Sequence, residues 1–208
     1  DLQPFQDVDG HSVRDTLIQQ RFSKLAVFAG RLVDQKDLPT LLAAMAIVND
    51  AMEHRVGLVI VGDGERRSRL ESITEELGLE DNTIFVGLLD HDQVPAYLAA
   101  ADVVVMSSVY EGNSRVPMEA AACGVPVVAT DISGTRDTII DGVTGFVVPP
   151  RNPDRLAQAL LSVLRNPQKA HQMGLAGRDH VVPMYSMKAV VPRYKEMWET
   201  TVRRYSEV

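Results

Sequence analysis

Short apolar runs recur along the chain, the first three closed by glycine: residues 25–29 before Gly30, 58–61 before Gly62, 83–86 before Gly87, then Val103–Met106, 126–129 and Gly145–Val148. They are rich in Val and Ile and carry no apolar/polar alternation, which is the pattern of strands covered on both faces. Segments of helical spacing separate them. Asp37 is placed to cap the first and Pro39 suits its first turn, after which Leu41, Leu42, Met45 and Val48 follow at helical intervals. A charged helix over residues 65–77 stops at Gly78, another spans 93–100, an Ala-rich one runs from near Ser114 to Ala122, and a short one spans 134–140. Strand and helix thus alternate at least five times, which predicts an α/β fold with a doubly wound, Rossmann-like parallel sheet.

After Pro149-Pro150 the pattern is purely helical, over residues 154–165, 168–181 and 187–204. The last helix carries Tyr194, Met197, Trp198 and Tyr205 amid Arg193, Lys195, Arg203 and Arg204, a face that calls for a partner surface. At the other end residues 1–23, with Pro4 and Gly10, read as a linker containing a short helix around 13–20. The body of the domain is then residues 24–185, with 186–208 as a terminal helix.

A chain of 208 residues with 45% hydrophobic content can bury one sizeable core. Its net charge of -7 argues against a nucleic-acid partner, which requires a basic face. A single cysteine, Cys123, rules out an internal disulfide and points to a reducing compartment. No apolar run reaches the roughly 18 residues of a membrane span, and the sequence from Asp1 does not resemble a signal peptide.

Several kinds of chemistry lack their motif. Gly62-Asp63-Gly64 supplies two glycines of a dinucleotide fingerprint, but Arg67 stands where the third belongs. There is no P-loop and no Gly-x-Ser-x-Gly elbow, and His11, His54, His91, His171 and His180 are too scattered to predict a metal site. What remains lies at the carboxyl ends of strands, where ligands bind in parallel α/β sheets. Arg31 and Lys36 follow the first strand and suit a diphosphate, Arg as a fork and Lys as a point charge. Tyr110-Glu111-Gly112-Asn113-Ser114-Arg115-Val116-Pro117-Met118-Glu119 follows the fourth. With a helix starting near Ser114, Glu119 lies in its second turn, roughly 7 Å along the axis. The two carboxylates could then hold hydroxyls at opposite ends of an elongated ligand, while the N–H groups of Gly112 to Arg115 face its anionic middle. A nucleotide sugar has that layout. The ordinary alternatives are solvated loop charges for Arg31, Lys36 and Glu111, and a helix-start acid for Glu119.

The ordered set Gly30-Arg31-Leu32 with Lys36, Val61-Gly62-Asp63-Gly64, Phe85-Val86-Gly87, Ala101-Asp102-Val103, the Glu-x7-Glu pair Glu111 and Glu119, residues 121–130 and residues 141–149 resembles glycosyltransferase family 4, over nearly the whole chain. The resemblance is to the C-terminal, donor-binding half of these retaining GT-B enzymes. It implies that Arg31 and Lys36 bind the donor diphosphate, Glu111 the transferred sugar and Glu119 the ribose. The backbone of Asn113, Ser114 and Arg115 would meet sugar and phosphate, and Gly87, Leu88 and Leu89 the base, with Gly30, Gly62 and Gly112 completing the donor site. Two departures stand out: Asp37 where the family usually has Gly, and Asn113-Ser114 where it commonly has Phe-Gly. Ser114 followed by Arg115 is similar to the branch that builds bacterial capsule and surface polysaccharides.

The resemblance therefore implies a retaining hexosyltransferase domain for polysaccharide or glycoconjugate synthesis, with a nucleotide-diphospho-sugar as donor substrate and no metal or other cofactor. Arg31, Lys36 and Glu111 would be its catalytic residues. An N-terminal acceptor-binding domain, onto which the last helix crosses, would lie outside this chain. The expected location is the cytoplasm, peripheral at the inner membrane face, with a membrane-associated acceptor. Two alternatives stand beside this: a nucleotide-sugar-binding module inactive without an acceptor-binding partner, and an epimerase or phosphorylase on the same scaffold.

Overall fold

The computed structural model of the chain describes residues 1–18, 21–112 and 114–206. The apolar runs form six strands, β1 Lys24–Ala29, β2 Val56–Val61, β3 Thr83–Gly87, β4 Val103–Met106, β5 Val127–Thr130 and β6 Gly145–Val148. All pair in parallel, in the order β3-β2-β1-β4-β5-β6. The chain thus winds outward from β1 in one direction and, from β4, in the other. β1 and β4 are neighbours, with Ala26 opposite Val103 and Val27 opposite Val104, and the crevice above this reversal is where such sheets hold ligands.

The connecting helices are α1 Gln3–Gln6, α2 His11–Ile18, α3 Leu38–Ala51, α4 Arg67–Glu76, α5 Val94–Ala99, α6 Val116–Ala122, α7 Thr135–Thr138, α8 Pro153–Leu164, α9 Pro167–Tyr185 and α10 Met187–Ser206. Alternate residues of β1 serve two separate cores. Ala26 and Phe28 pack with Leu41, Leu42 and Met45 of α3 and Leu156 and Leu160 of α8. Leu25, Val27 and Ala29 face the other side, with Phe5, Leu98 of α5, Ala120 of α6 and Val181 of α9. Burial on both faces is the reason the strands read as continuous apolar runs. α9 lies close against the end of α6, and a side chain at Gly174 would overlap the Gly124 carbonyl.

Residues of the lead-in segment are tied to this body. Leu2, Phe5 and Phe22 are buried. Arg14 donates to the Ala100 carbonyl at 2.6 Å and to Asp102 at 2.9 Å, and Lys24 donates to the other Asp102 oxygen at 2.9 Å. At the far end every side chain from Val191 to Val202 is exposed, with Val191, Tyr194 and Trp198 on one face of α10.

Some elements differ from the sequence expectation. The short helix near 13–20 lies at His11–Ile18, and residues 19 and 20 fall outside the described ones. The segment 134–140 reduces to the single turn of α7. Asp37 precedes α3 but does not cap it with its side chain, because its backbone is left-handed, with φ 46°. Its carboxylate instead accepts from the Thr40 hydroxyl at 2.7 Å. A left-handed backbone favours glycine, and Asp is among the residues that tolerate it. The correction that matters most is α6, which begins at Val116 rather than near Ser114, so Glu119 lies in its first turn. The cause is Pro117: a start near Ser114 would place proline where the first intrahelical N–H bond is needed, whereas a start at Val116 puts it in the turn where that N–H is dispensable.

Candidate functional site

Three strand ends close together at the carboxyl edge of the sheet. Gly30 N–H donates to the Val61 carbonyl at 2.9 Å, and Gly62 N–H to the Gly87 carbonyl at 2.8 Å. Gly62 adopts φ 132° and lies so close to Gly30 that a Cβ there would overlap the Gly30 carbonyl oxygen. Because no side chain stands on these crossings, a cavity of about 240 Å³ opens above them. It is lined by Arg31 from the β1 loop, Asp63 after β2, Leu88, Leu89 and His91 after β3, and Arg115, Val116 and Glu119 at the start of α6.

Glu119 is the buried charge of this cavity, only 7% exposed. Among the described residues no hydrogen bond reaches its carboxylate, and its ion-pair partner is Arg115, Nε lying 3.8 Å from Oε1. Burial pushes the Glu119 carboxyl above its ordinary range, and the charges of Arg115 and His91 pull it partly back. Because its folded pKa is raised, the stability linked to Glu119 is full below the unfolded pKa and is lost as pH rises through the folded one. Glu119→Gln is therefore expected to raise the melting temperature at neutral pH by about 2–4 °C, the effect of about 1 kcal/mol in a domain of this size. The gain should vanish below the ordinary carboxyl value of 4.5, and thermal unfolding across pH checks it. A stabilising loss of charge at a ligand site would mark Glu119 as retained for function.

Lys36 and Glu111 meet beside this cavity, across the β1/β4 reversal. Lys36 ends the 3-10 turn Asp34–Lys36, and its Nζ forms an ion pair with Glu111 Oε1. The same oxygen accepts from the Ser108 hydroxyl at 2.8 Å, and Oε2 from Gln35 Nε2 at 3.3 Å. The Ser107 hydroxyl donates to the Lys36 carbonyl at 2.6 Å, so the β4 end also fixes the backbone that carries the lysine. Ser107, Ser108 and Gln35 escaped the sequence reading. Their signal was the pair of serines directly after an apolar strand and before Glu111.

Arg31 lines the same cavity as Glu119, while Lys36 is paired with Glu111 beside it. Gly30, Gly62, Leu88, Leu89 and Arg115 line the Arg31 cavity, although Leu88 stands 77% exposed at its rim. Gly87 supports it from below through its carbonyl. Ser114 lines a second, small recess with Glu111, Gly134 and Thr138. Gly112 is exposed, and Asn113 lies outside the described residues.

α6 has only seven residues and starts after Arg115, so the N–H groups of Gly112 to Arg115 belong to the loop and its cap rather than to a helix end. Burial pushes the Cys123 thiol up to about 12, which excludes it as a thiolate nucleophile at neutral pH. A larger hollow of about 710 Å³ lies between α3 and α8, lined by Ile47, Gln158, Leu161 and Arg165 among others. Its charged lining, Asp154, Arg155 and Arg165, comes from α8 and its C-terminal cap, with no residue from the loops after β1 to β4. Among the described residues no three His, Cys, Asp or Glu side chains group as a metal site would require, and no helix is long and apolar enough to cross a membrane.

Comparison with known proteins places this arrangement in a family. The sequence profile described as "Glycosyl transferases group 1" matches residues 15–180. An uncharacterised glycosyltransferase of Methanocaldococcus jannaschii is 38% identical over 141 residues, covering 68% of this chain and 36% of that protein. The GDP-mannose-dependent alpha-(1-6)-phosphatidylinositol monomannoside mannosyltransferase of Mycobacterium tuberculosis is 34% identical over 166 residues, covering 76% of this chain and 43% of that protein. The chain therefore spans less than half the length of these relatives. Among solved structures, sucrose-phosphate synthase of Thermosynechococcus elongatus superposes with a TM-score of 0.85 at 30% identity, over 98% of this chain and 51% of that one. Anabaena HepE in complex with UDP-glucose gives 0.84 at 25% identity, over 96% and 55%. With a profile match over most of its length, a six-stranded parallel sheet that superposes on GT-B enzymes, and charged side chains gathered at the strand reversal, this chain belongs to the glycosyl transferases group 1 family.

Proposed function

We propose that the chain is the donor-binding half of a retaining glycosyltransferase that uses a nucleotide-diphospho-sugar. The observation that carries this reading is the separation of the two carboxylates, Glu119 in a cavity with Arg31 and Glu111 in a recess beside Lys36. An elongated ligand fits that division: ribose hydroxyls donate to Glu119, sugar hydroxyls to Glu111, and the diphosphate between them meets Arg31 and Lys36. Leu88 and Leu89 offer an apolar wall for the base. In transfer the bond between the sugar C1 and the phosphate oxygen breaks, with its electron pair leaving on the diphosphate. The acceptor hydroxyl bonds to C1 from the same face, and its proton ends on the departing phosphate.

Arg31 and Lys36 would stabilise the charge that grows on the leaving group, the role that preorganised cations fill where charge develops. The two cations can do this without a metal ion. Glu111 would act as a positioner rather than a covalent nucleophile, because glycosidase-type retention needs two carboxyls about 5 Å apart flanking one bond, and here they belong to different ends of the ligand. Similarity to a GDP-mannose-dependent enzyme and to a UDP-glucose complex supports a nucleotide sugar as the class and leaves two bases to test. We place the reaction in the cytoplasm, in polysaccharide or glycoconjugate synthesis with a membrane-associated acceptor, and assign the exposed face of Val191, Tyr194 and Trp198 to contact with an acceptor-binding half. Because the chain spans less than half of its curated relatives, a second reading is a binding module that turns over only with such a partner. Turnover by the isolated chain would exclude that module.

Arg31 separates the donor reading from its rivals. Arg31→Ala is expected to weaken UDP or GDP by about tenfold or more, since a hydrogen bond to a charged group is worth about 1.5–3 kcal/mol. Uridine or guanosine should bind as before. Equal losses for nucleotide and nucleoside, read by calorimetry, would remove Arg31 from the phosphate site.

A further inference from the structure

The Glu-x7-Glu pattern says nothing of how a carboxylate as deeply buried as Glu119 stays charged. We propose that Arg115 is a positioning residue for nucleoside binding: its guanidinium, one helical turn before Glu119 at the cavity rim, holds that carboxylate ionised and turned toward the ribose hydroxyls. This rests on the donor-site reading above. The geometry is specific. Arg115 and Glu119 stand four residues apart across the start of α6, Nε to Oε1 is 3.8 Å, and both line the cavity that holds Arg31. Glu119 has a side chain 10% exposed, whereas that of Arg115 is 69% exposed, so one member of the pair is desolvated and the other keeps its hydration. Among the described residues the Arg115 side chain has no other ion pair and no hydrogen bond, and no donor reaches the Glu119 carboxylate by a hydrogen bond.

The chemistry requires the ionised form. Two neighbouring ribose hydroxyls need two accepting oxygens, and a protonated carboxyl turns one of these into a donor. Burial drives Glu119 toward protonation, so a fixed positive charge has to oppose it. Several other charged or titratable groups face Glu119. The loop before α5 brings His91, steadied by the edge of the Phe5 ring at 6.2 Å, and the β1 and β2 loops bring Arg31 and Asp63. The Asp1 amino group adds a weaker positive field. At the C-terminal cap of α6 Cys123 is held neutral by burial, with Arg178 of α9 beyond it. Of the two side chains that pull Glu119 back, Arg115 has the larger effect, and an arginine keeps its proton throughout. Arg115 is thus the permanent charge that faces Glu119.

The test follows the Glu119 carboxyl by carbon NMR in wild type, Arg115→Ala and Arg115→Lys, alongside calorimetry with UDP, GDP, uridine and guanosine from about pH 5.5 to 8. In Arg115→Ala the carboxyl should titrate at least about half a pH unit higher, the scale of a screened ion pair. Nucleoside affinity should fall about threefold more than wild type on going from neutral to mildly acidic pH. Arg115→Lys should restore both. An unchanged Glu119 titration overturns the proposal. So does a loss in Arg115→Ala that is equal at every pH and confined to UDP and GDP, which would make Arg115 a direct phosphate ligand. If wild type binds neither UDP nor GDP, the donor-site reading falls and takes the role of Arg115 with it; normal wild-type binding with parallel pH profiles overturns the role of Arg115 alone.

Discussion

Lys36→Ala is expected to weaken binding of a nucleotide-diphospho-sugar by about 10–100-fold and to lower stability by up to about 3 kcal/mol. Both losses come from the pair with Glu111. The Lys36 and Glu111 side chains are 15% and 9% exposed, and removing the lysine leaves a carboxylate with only Ser108 and Gln35 as donors. Truncating one member of a buried pair is costly because the other charge is stranded. Exchanging both for neutral residues of similar size is not. The double variant Lys36→Met with Glu111→Gln should therefore recover most of the stability in urea unfolding and none of the affinity in calorimetry. Recovery of binding in the double variant would show that the pair is architectural and that neither residue touches the donor.

A larger effect on the fold is expected at Gly62. Gly62→Ala must fit a side chain at φ 132° where the new Cβ overlaps the Gly30 carbonyl, so the two loops that floor the cavity have to separate. Backbone strain of about 1–3 kcal/mol and overpacking of a similar size add, to about 2–6 kcal/mol. Typical domains have only about 5–15 kcal/mol in all. Gly142→Ala is the control, since Gly142 also has a positive φ, 74°, but open space around it. It should cost only about 1 kcal/mol. Similar unfolding midpoints for the two variants would contradict the close crossing of the β1 and β2 loops.

The parts of this molecule that were legible in the sequence are those set by local pattern. The six strands followed from short apolar runs, three of them ended by glycine, because burial on both faces leaves few polar positions within them. The strand order was not legible. β1 and β4 are neighbours although two strands and the three helices α3, α4 and α5 separate them in the chain, and that adjacency alone brings Lys36 to Glu111. For the same reason the sequence did not show which acid each cation approaches: Arg31 lines the cavity of Glu119, and Lys36 pairs with Glu111. The start of α6 could have been read from Pro117, whose missing N–H fits only the first turn. Weighing the Ala-rich run above that proline placed the helix two residues early and put Glu119 a turn too far along it. The burial of Glu119 had no sequence signal, since a glutamate in a first helical turn is ordinarily a solvated acid.

Thermal unfolding of the chain with UDP-glucose, GDP-mannose, uridine, guanosine and inorganic pyrophosphate, each well above its dissociation constant, is the most direct measurement. A ligand at about 100 times its dissociation constant adds roughly 2.7 kcal/mol, which raises the melting temperature by about 5–10 °C in a domain of this size. One of the two nucleotide sugars should give that rise and its nucleoside a smaller one. The rise should be lost in Lys36→Ala and in Glu119→Ala. No rise with either nucleotide sugar, or an equal rise with pyrophosphate alone, would contradict a site that holds ribose, diphosphate and sugar between Glu119 and Glu111.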